Sequence, residues 1–304
     1  MMSTRRVFAT ALLVAVTAAA AATAVAAETE WKVGPVPQSL REELKLSPFY
    51  QQHVDVGGFP VLASDKPSPY ALLEAAYLID RMIGHRDDIR AALARSKVRF
   101  TVMAAGEQTT DVPEHSDLKP KEFWDRRARG LGPTPVRPCV SCGEENLLCL
   151  RGDPYAAENI LIHEFAHAIH DMGLRDADPT FDGRLRKAYH EAMAKGLWKG
   201  KYAAGNRSEY WAEGVQSWFD TNRPPDHDHN HVRTREALRA YDPGLAKLVE
   251  EIFGDGEWRY VRSDERKELG HLAGLRRDEA PAFEWPEHLK GRQPKREPDQ
   301  PTTR

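Results

Sequence analysis

The residues best suited to chemistry lie together in the stretch LIHEFAHAIHD, residues 161–171. Within it, His163, Glu164 and His167 form the pattern H-E-x-x-H. Residues four apart on an α-helix lie about 40° apart around the axis and one turn apart along it, so the two histidines project to one side. Two imidazoles placed in this way can bind one zinc ion. Glu164 beside them can take a proton from a zinc-bound water molecule.

The residues that flank this pattern decide between a metal site and a chance arrangement on a surface helix. They are almost all apolar, which predicts a helix that is buried over most of its circumference. They are Ile160, Leu161, Ile162, Phe165, Ala166, Ala168 and Ile169. Buried imidazoles and a buried carboxylate need partners, because unpaired burial of such groups is costly. A metal ion and its water would satisfy all three, so the metal site is favoured.

A third zinc ligand is not found near the motif itself. His170 lies about 10 Å along the helix axis from His163, and three residues of one straight helix do not converge on a point at that spacing. The longer pattern H-E-x-x-H-x-x-G-x-x-H would need glycine at position 170 and histidine at 173. This chain has His170 and Gly173, so that arrangement fails.

A later helix offers two carboxylates instead. The stretch NRSEYWAEGVQSWFD, residues 206–220, places Glu209 and Glu213 one turn apart among aromatic neighbours. We predict Glu209 as the third zinc ligand and Glu213 as the hydrogen-bond partner of a zinc-bound histidine. The alternative is a carboxylate pair held by salt bridges to Arg207 or Lys201.

These motifs resemble those of the gluzincin zinc metallopeptidases, in particular the anthrax lethal factor catalytic domain. That family carries H-E-F-x-H on one helix and its ligand glutamate in an E-[FY]-[FW]-A-E run on a later one. This chain has HEFAH and EYWAE, and the match covers roughly residues 155–220. The resemblance implies that Tyr202, seven residues before Glu209, assists at the developing oxyanion. His170 departs from the pattern, since the relatives have an acidic residue there.

The elements that position these residues follow from apolar spacing and from helix end signals. We predict an α+β, zincin-like metallopeptidase domain with a small mixed sheet packed on the active-site helix and a mainly helical C-terminal half. Residues 68–85 and 87–96 have helical spacing, and residues 97–104 predict a buried strand. Residues 106–144 predict a long ordered loop region. Residues 145–150, ENLLCL, predict a short strand that pairs with extended substrate.

The second half of the chain carries a series of helix signals. The active-site helix is predicted to begin near Pro154 and to end just before Gly173. Further helices are predicted over residues 181–196 and from Asn206 or Ser208 to residue 220. One or two helices are predicted over residues 234–254.

The N-terminal segment has the pattern of an export signal. Residues 1–27 begin with Arg5 and Arg6, continue with an alanine-rich apolar run and end in small residues, which predicts a signal peptide. TRRVFA also resembles a twin-arginine signal, with an ordinary basic start as the alternative. We therefore expect a secreted or periplasmic protein without a stable membrane span after signal removal. Residues 28–288 are predicted to be one catalytic domain and residues 289–304 a disordered tail.

Composition bounds the possible functions. The 304 residues are 41% hydrophobic, enough for a sizeable core, and the formal net charge of −3 lacks the basic excess of a nucleic-acid partner. Three cysteines permit one disulfide with one thiol left over, and as a structural zinc site they lack a fourth ligand. The histidine-rich segment with His227, His229 and His231 predicts a solvated loop, with a second metal site as the alternative.

Together these observations predict a secreted zinc metallopeptidase that hydrolyses peptide bonds, with zinc held by His163, His167 and Glu209. Glu164 activates water, and Tyr202 follows from the resemblance. Two other functions stay open: an exported metal-binding or interaction domain without turnover, and a hydrolase of a non-peptide amide. The substrate is a peptide or protein on the favoured hypothesis.

Overall fold

The computed structural model describes residues 31–291 of the chain. The predicted signal peptide, residues 1–27, and residues 292–304 of the predicted tail lie outside the described residues. Within the described range a six-stranded mixed sheet comes first and helices dominate the second half, so the predicted α+β class is confirmed. The single domain spanning residues 28–288 stays a prediction.

The sheet has the strand order β1-β2-β3-β4-β6-β5. The strands are β1 (Gly34–Pro35), β2 (Gln52–Val56), β3 (Phe59–Ala63), β4 (Arg99–Met103), β5 (Gly130–Leu131) and β6 (Cys139–Gly143). Strands β3, β4 and β6 run parallel at the centre, while β5 pairs antiparallel with β6 at one edge. The antiparallel edge strand β5 is the part of the sheet that lies beside the candidate site.

Residues 31–291 form eleven α-helical segments, α1 to α11 in chain order. They are α1 (Gln38–Leu44), α2 (Pro69–Ile83), α3 (Asp87–Arg95), α4 (Lys121–Arg127), α5 (Glu144–Leu147), α6 (Ile160–Ala168), α7 (Arg175–Ala177), α8 (Phe181–Ala194), α9 (Arg207–Trp218), α10 (Arg235–Tyr241) and α11 (Pro243–Phe253). Short 3₁₀ turns cover Thr109–Asp111, Pro113–His115, Tyr202–Ala204, Gly270–Leu272 and Glu287–Leu289. No helix within residues 31–291 has both the length and the apolar character needed to cross a bilayer.

Alternation along the central strands builds two different surfaces. Phe100 of β4 lies opposite Val140 of β6, and both belong to the main core together with residues of α2 and α6. Thr101 belongs to the other face, where its hydroxyl lies 3.2 Å from the Tyr50 hydroxyl and 3.2 Å from the Cys139 thiol. Successive side chains of a strand point to opposite faces, so one face packs against α2 and α6 and the other carries a more polar layer with a small apolar cluster that includes Leu44 of α1.

The region predicted as a long loop, residues 106–144, contains two strands and a helix. Central strand β6 is buried at every residue, so its sequence CVSCG shows no alternation of apolar and polar residues. The predicted strand over residues 145–150 is wrong, because its first residues belong to helix α5 and are buried. The edge beside the site is formed by β5 instead.

The active-site helix differs from the prediction at both ends. It begins at Ile160, where the Asn159 side chain accepts a hydrogen bond from the backbone N–H of Ile162. Beyond α6 the chain continues through a π-helical turn, Ile169–Leu174, so Gly173 does not end the helix. A Cβ at Gly173 would lie 2.9 Å from Ile89 Cγ2, which shows that glycine permits close packing against α3 there.

The predicted helices over residues 68–85, 87–96 and 181–196 are confirmed, as is the strand over residues 97–104. The final helical stretch is divided in two, α10 and α11, at Asp242. All three cysteines are free thiols.

Candidate metal centre

Helices α6 and α9 lie side by side and carry most of the candidate site. The indole N–H of Trp211 in α9 donates to the backbone carbonyl of Ala166 in α6 at 2.9 Å. At the start of α6, the backbone N–H of Ile160 donates to the Asn146 side chain at 2.8 Å. These contacts fix the helix that carries the two histidines against its neighbours.

The start of α9 is fixed by its N-cap. The Asn206 side chain accepts hydrogen bonds from the backbone N–H groups of Ser208 and Glu209 at 2.9 and 3.0 Å. An asparagine cap of this kind satisfies backbone donors that have no partner within the helix. The cap therefore fixes the position of Glu209 in the first turn of α9, where its side chain faces α6.

His163, His167 and Glu209 converge on one point. His163 Nε2 lies 3.1 Å from Glu209 Oε2 and 3.3 Å from His167 Nε2, and His167 Nε2 lies 3.4 Å from Glu209 Oε2. Zinc binds nitrogen and oxygen ligands at about 2.0–2.2 Å, so two ligands of a tetrahedral ion lie about 3.3 Å apart. The donor set and its spacing fit a zinc ion with a fourth position left open.

The charges around this point favour a cation. Burial alone would lower the pKa of His163, but its hydrogen bond to Glu209 and the nearby charge of Glu164 raise it to about 10. Burial likewise disfavours the charge of Glu209, yet His167 and His163 hold the pKa of that carboxyl well below its usual range. Both directions have one cause, the attraction between the carboxylates and the two imidazoles, and a pocket lined by carboxylates in this way favours positive charge.

The expected hydrogen bond from a histidine to Glu213 is not formed. Glu213 Oε1 lies 3.8 Å from His163 Nδ1, while Gln216 Oε1 lies 2.8 Å from the same nitrogen. Glu213 instead accepts a hydrogen bond from the Asn222 side chain at 3.0 Å and lies 3.5 Å from His229 Nε2. Gln216 was missed, although it lies seven residues after Glu209 and so on the same side of α9.

The alternative salt bridges for the α9 carboxylates are also not formed. Arg207 donates to Asp182 at 2.7 Å, and the Lys201 ammonium donates to the backbone carbonyls of Asp226 and His227. His170, one turn beyond the motif, lies 3.1 Å from Asp182 and so points away from the three donors.

Glu164 lies between the histidines and the edge strand β5. A Cβ at Gly132, just after β5, would lie 3.3 Å from Glu164 Oε2 and 2.9 Å from His167 Cβ. A Cβ at Gly130 would lie 2.4 Å from Ile160 Cγ2. Because Gly130 and Gly132 have no side chains, the edge strand can pack closely against α6 next to Glu164 and His167.

Tyr202 lies close to the ring of His163. Its backbone N–H donates to the carbonyl of Asp228 at 2.8 Å, and its ring centre lies 6.2 Å from that of His163. Burial and the negative charge of Glu209 raise the pKa of Tyr202 well above its usual value. The phenol is therefore neutral and can act as a hydrogen-bond donor.

The histidine-rich loop divides into two parts. His227 and His231 are exposed, whereas His229 is buried and its Nδ1 lies 3.0 Å from Asp226 Oδ1. The prediction of a solvated loop is thus wrong for His229. Among residues 31–291, the group of histidine, cysteine and acidic side chains with the spacing of a metal site is His163, His167 and Glu209.

Comparison with known proteins gives weak likenesses to solved structures. No family model matches this sequence, and curated proteins give no significant match. Among solved structures, the chain is similar to the PRO-PRO endopeptidase PPEP-2 from Paenibacillus alvei, with a TM-score of 0.45 and 17% sequence identity. That match covers 64% of this chain and 97% of the other.

Proposed function

We propose that this protein is a zinc-dependent metallopeptidase of the gluzincin type, with the zincin-like fold of that class. The observation that carries the proposal is the spacing of 3.1, 3.3 and 3.4 Å among His163 Nε2, His167 Nε2 and Glu209 Oε2. It matches three corners of a zinc tetrahedron. The motif resemblance to the lethal factor catalytic domain supports the same reading.

Glu164 is the general base in this proposal. Zinc, when bound, lowers the pKa of a water molecule and polarises a carbonyl group. Glu164 follows His163 directly in α6, and its carboxylate faces the edge strand rather than joining the three donors. From there it accepts a proton from the attacking water and passes it to the leaving amine.

Tyr202 stabilises the charge that develops on the substrate. A neutral phenol near the His163 ring can donate a hydrogen bond to a carbonyl oxygen that becomes negative. Such a donor contributes most when its position is fixed before the reaction. The backbone bond from Tyr202 to Asp228 fixes the turn that carries it.

The substrate is an extended peptide that adds to the sheet at β5. Within the described residues β5 pairs with β6 on one side, and Gly130 in the strand and Gly132 just after it bring the backbone close to Glu164. Extended peptides bind to such edges through main-chain hydrogen bonds. We further propose that the protein acts in the periplasm or outside the cell, on the basis of the signal-like residues 1–27.

Two variants test the proposal together with metal analysis. We expect purified wild-type protein to contain near-stoichiometric zinc, Glu209→Ala to lose it, and Glu164→Gln to retain it. In a peptide-library assay, wild-type cleavage should stop with a chelator and return with zinc, and Glu164→Gln should be inactive. Glu191→Gln, a carboxylate change on the exposed face of α8, is the matched control and should behave as wild type.

Two results contradict the proposal. Cleavage that persists in Glu164→Gln removes the assigned base. Wild-type protein that binds zinc but cleaves no peptide of the library indicates a metal-binding domain or a hydrolase of another amide.

A further inference from the structure

Gln216 makes three polar contacts in the wall of the candidate site. The side chain is fully buried in α9, and its Oε1 lies 2.8 Å from His163 Nδ1. Its Nε2 donates to Glu158 Oε2 at 3.1 Å and to the backbone carbonyl of Asn159 at 3.4 Å. The amide thus bridges a histidine of α6 and the two residues that precede that helix.

These contacts determine which way the amide faces. Both groups opposite Nε2 are oxygen atoms that accept hydrogen bonds, so the amide cannot be reversed without placing its carbonyl against them. With Oε1 facing His163, the histidine must carry its proton on Nδ1. With Nδ1 fixed as a protonated nitrogen, Nε2 is the atom that can bind a metal ion in place of the proton that it shares with Glu209.

We propose that Gln216 is the positioning residue for the zinc site, holding His163 in the tautomer and ring orientation that bind the metal. This inference rests on the proposed zinc chemistry. An amide is suited to the position because it accepts on one side and donates on the other. A carboxylate at position 216 would instead face the Glu158 carboxylate at about the 3.1 Å of the present bond.

The same bridge couples the histidine to the start of α6. Glu158 precedes the cap residue Asn159, and its other oxygen lies 3.7 Å from Arg223 Nε. The Glu213 carboxylate lies 3.8 Å from His163 Nδ1 and accepts a hydrogen bond from Asn222 instead, so it does not take the place of Gln216. The orientation of His163 therefore depends on an amide that links α9 to α6 and, through Glu158, lies next to Arg223 in the loop that follows α9.

Four variants test this role through zinc affinity, measured by competition with a chromophoric chelator. Gln216→Met keeps the volume but removes both hydrogen bonds, and we expect it to bind zinc about 10–100-fold more weakly. Gln216→Glu combined with Glu158→Gln reverses the polarity of the bridge and should bind zinc within about threefold of wild type. Gln216→Glu alone should bind more weakly than this double variant.

The fourth variant, Ser217→Ala, is the matched control. Ser217 is the next buried polar residue of α9, and its one hydroxyl proton lies within reach of the carbonyls of Val232 and Glu213 rather than of a histidine. We expect it to lower the melting temperature of the metal-free protein while leaving zinc affinity within about twofold.

The outcomes separate this inference from the proposed function. If wild-type protein binds zinc and Gln216→Met binds it equally well, Gln216 has no positioning role. If Gln216→Met does not fold, equal zinc affinities of Gln216→Glu and the double variant overturn the inference. Wild-type protein without affinity for zinc overturns the proposed function itself.

Discussion

Tyr202 shows how single residues of the site depend on their surroundings for their chemistry. Burial and the charge of Glu209 keep its phenol protonated, and the backbone contact with Asp228 fixes its position. An exposed tyrosine would also be neutral at neutral pH. Unlike an exposed tyrosine, a donor whose position is already fixed needs no reorganisation when the oxyanion forms.

Removal of this hydroxyl should therefore slow the chemical step. We expect Tyr202→Phe to lower kcat by about 10²–10³-fold, the usual effect of losing one oxyanion donor, with little change in KM and unchanged zinc content. Tyr77→Phe in α2, which removes a hydroxyl that accepts a hydrogen bond from the Trp258 indole, is the control. Steady-state kinetics on one peptide would measure both, and a Tyr202→Phe enzyme with wild-type kcat would exclude this role.

The hydrogen-bond partner of His163 Nδ1 could not be predicted from the sequence. Residues 209, 213 and 216 follow one another on one side of α9, so helical spacing predicts a set of candidates. Glu213 misses His163 Nδ1 at 3.8 Å, and Gln216 reaches it at 2.8 Å. That difference of about one ångström is set by the way α6 and α9 pack, which no local pattern encodes.

At the scale of elements, the site depends on how closely β5 approaches α6. A Cβ at Gly130 would lie 2.4 Å from Ile160 Cγ2 and 2.8 Å from the carbonyl oxygen of Ser141. The first residue of α6 and the neighbouring strand β6 thus enclose this glycine. Any side chain there must move the edge strand away from the helix.

A methyl group at this position should be destabilising. We expect Gly130→Ala to lower the free energy of unfolding by about 1–3 kcal/mol, the usual cost of overpacking, and to reduce kcat/KM because the edge strand moves relative to Glu164. Gly183→Ala in α8, where a Cβ would have open space, should instead add about 0.5–1 kcal/mol. Urea unfolding compares the two, and equal stability of both variants would contradict the close approach.

The helices and strands that could be predicted are those with one apolar side buried in the core. Helix α2 has apolar residues at helical spacing, and in strand β4 the apolar residues Phe100 and Val102 alternate with Arg99 and Thr101. Strand β6 was not predictable, because CVSCG is short, small and buried on both faces. Its place between β4 and β5 follows from long-range pairing, which a local pattern does not contain.

At the scale of the whole molecule, the sheet connects the candidate site to a polar layer on its other face. Ser141 of β6 accepts a hydrogen bond from the backbone N–H of Leu131 in β5 at 3.2 Å, and the same hydroxyl lies 3.2 Å from His115 Nε2. Its proton is then available to His115, which accepts it in the neutral form. The buried His115 is therefore linked to edge strand β5 through Ser141, on the face of the sheet opposite α6.

The protonation of this histidine should make stability depend on pH. Burial lowers the pKa of His115 to about 4, although the carboxylate of Glu114 opposes the shift. In the unfolded chain the value is about 6.5. Between these values the unfolded state binds the extra proton, so stability is fully present above about pH 6.5 and falls as the pH decreases toward 4. The gap corresponds to about 3 kcal/mol.

His115→Gln isolates this contribution, because glutamine can still accept from Ser141 but does not titrate. We expect the free energy of unfolding to fall by about 2–3 kcal/mol more in wild type than in the variant between pH 7.5 and 4.5. Asp153, whose pKa burial raises to about 6, acts in the opposite direction in both proteins and cancels in the comparison. Parallel pH profiles would mean that His115 is accessible to protons in the folded state, and that the polar face of the sheet is less closed than its burial indicates.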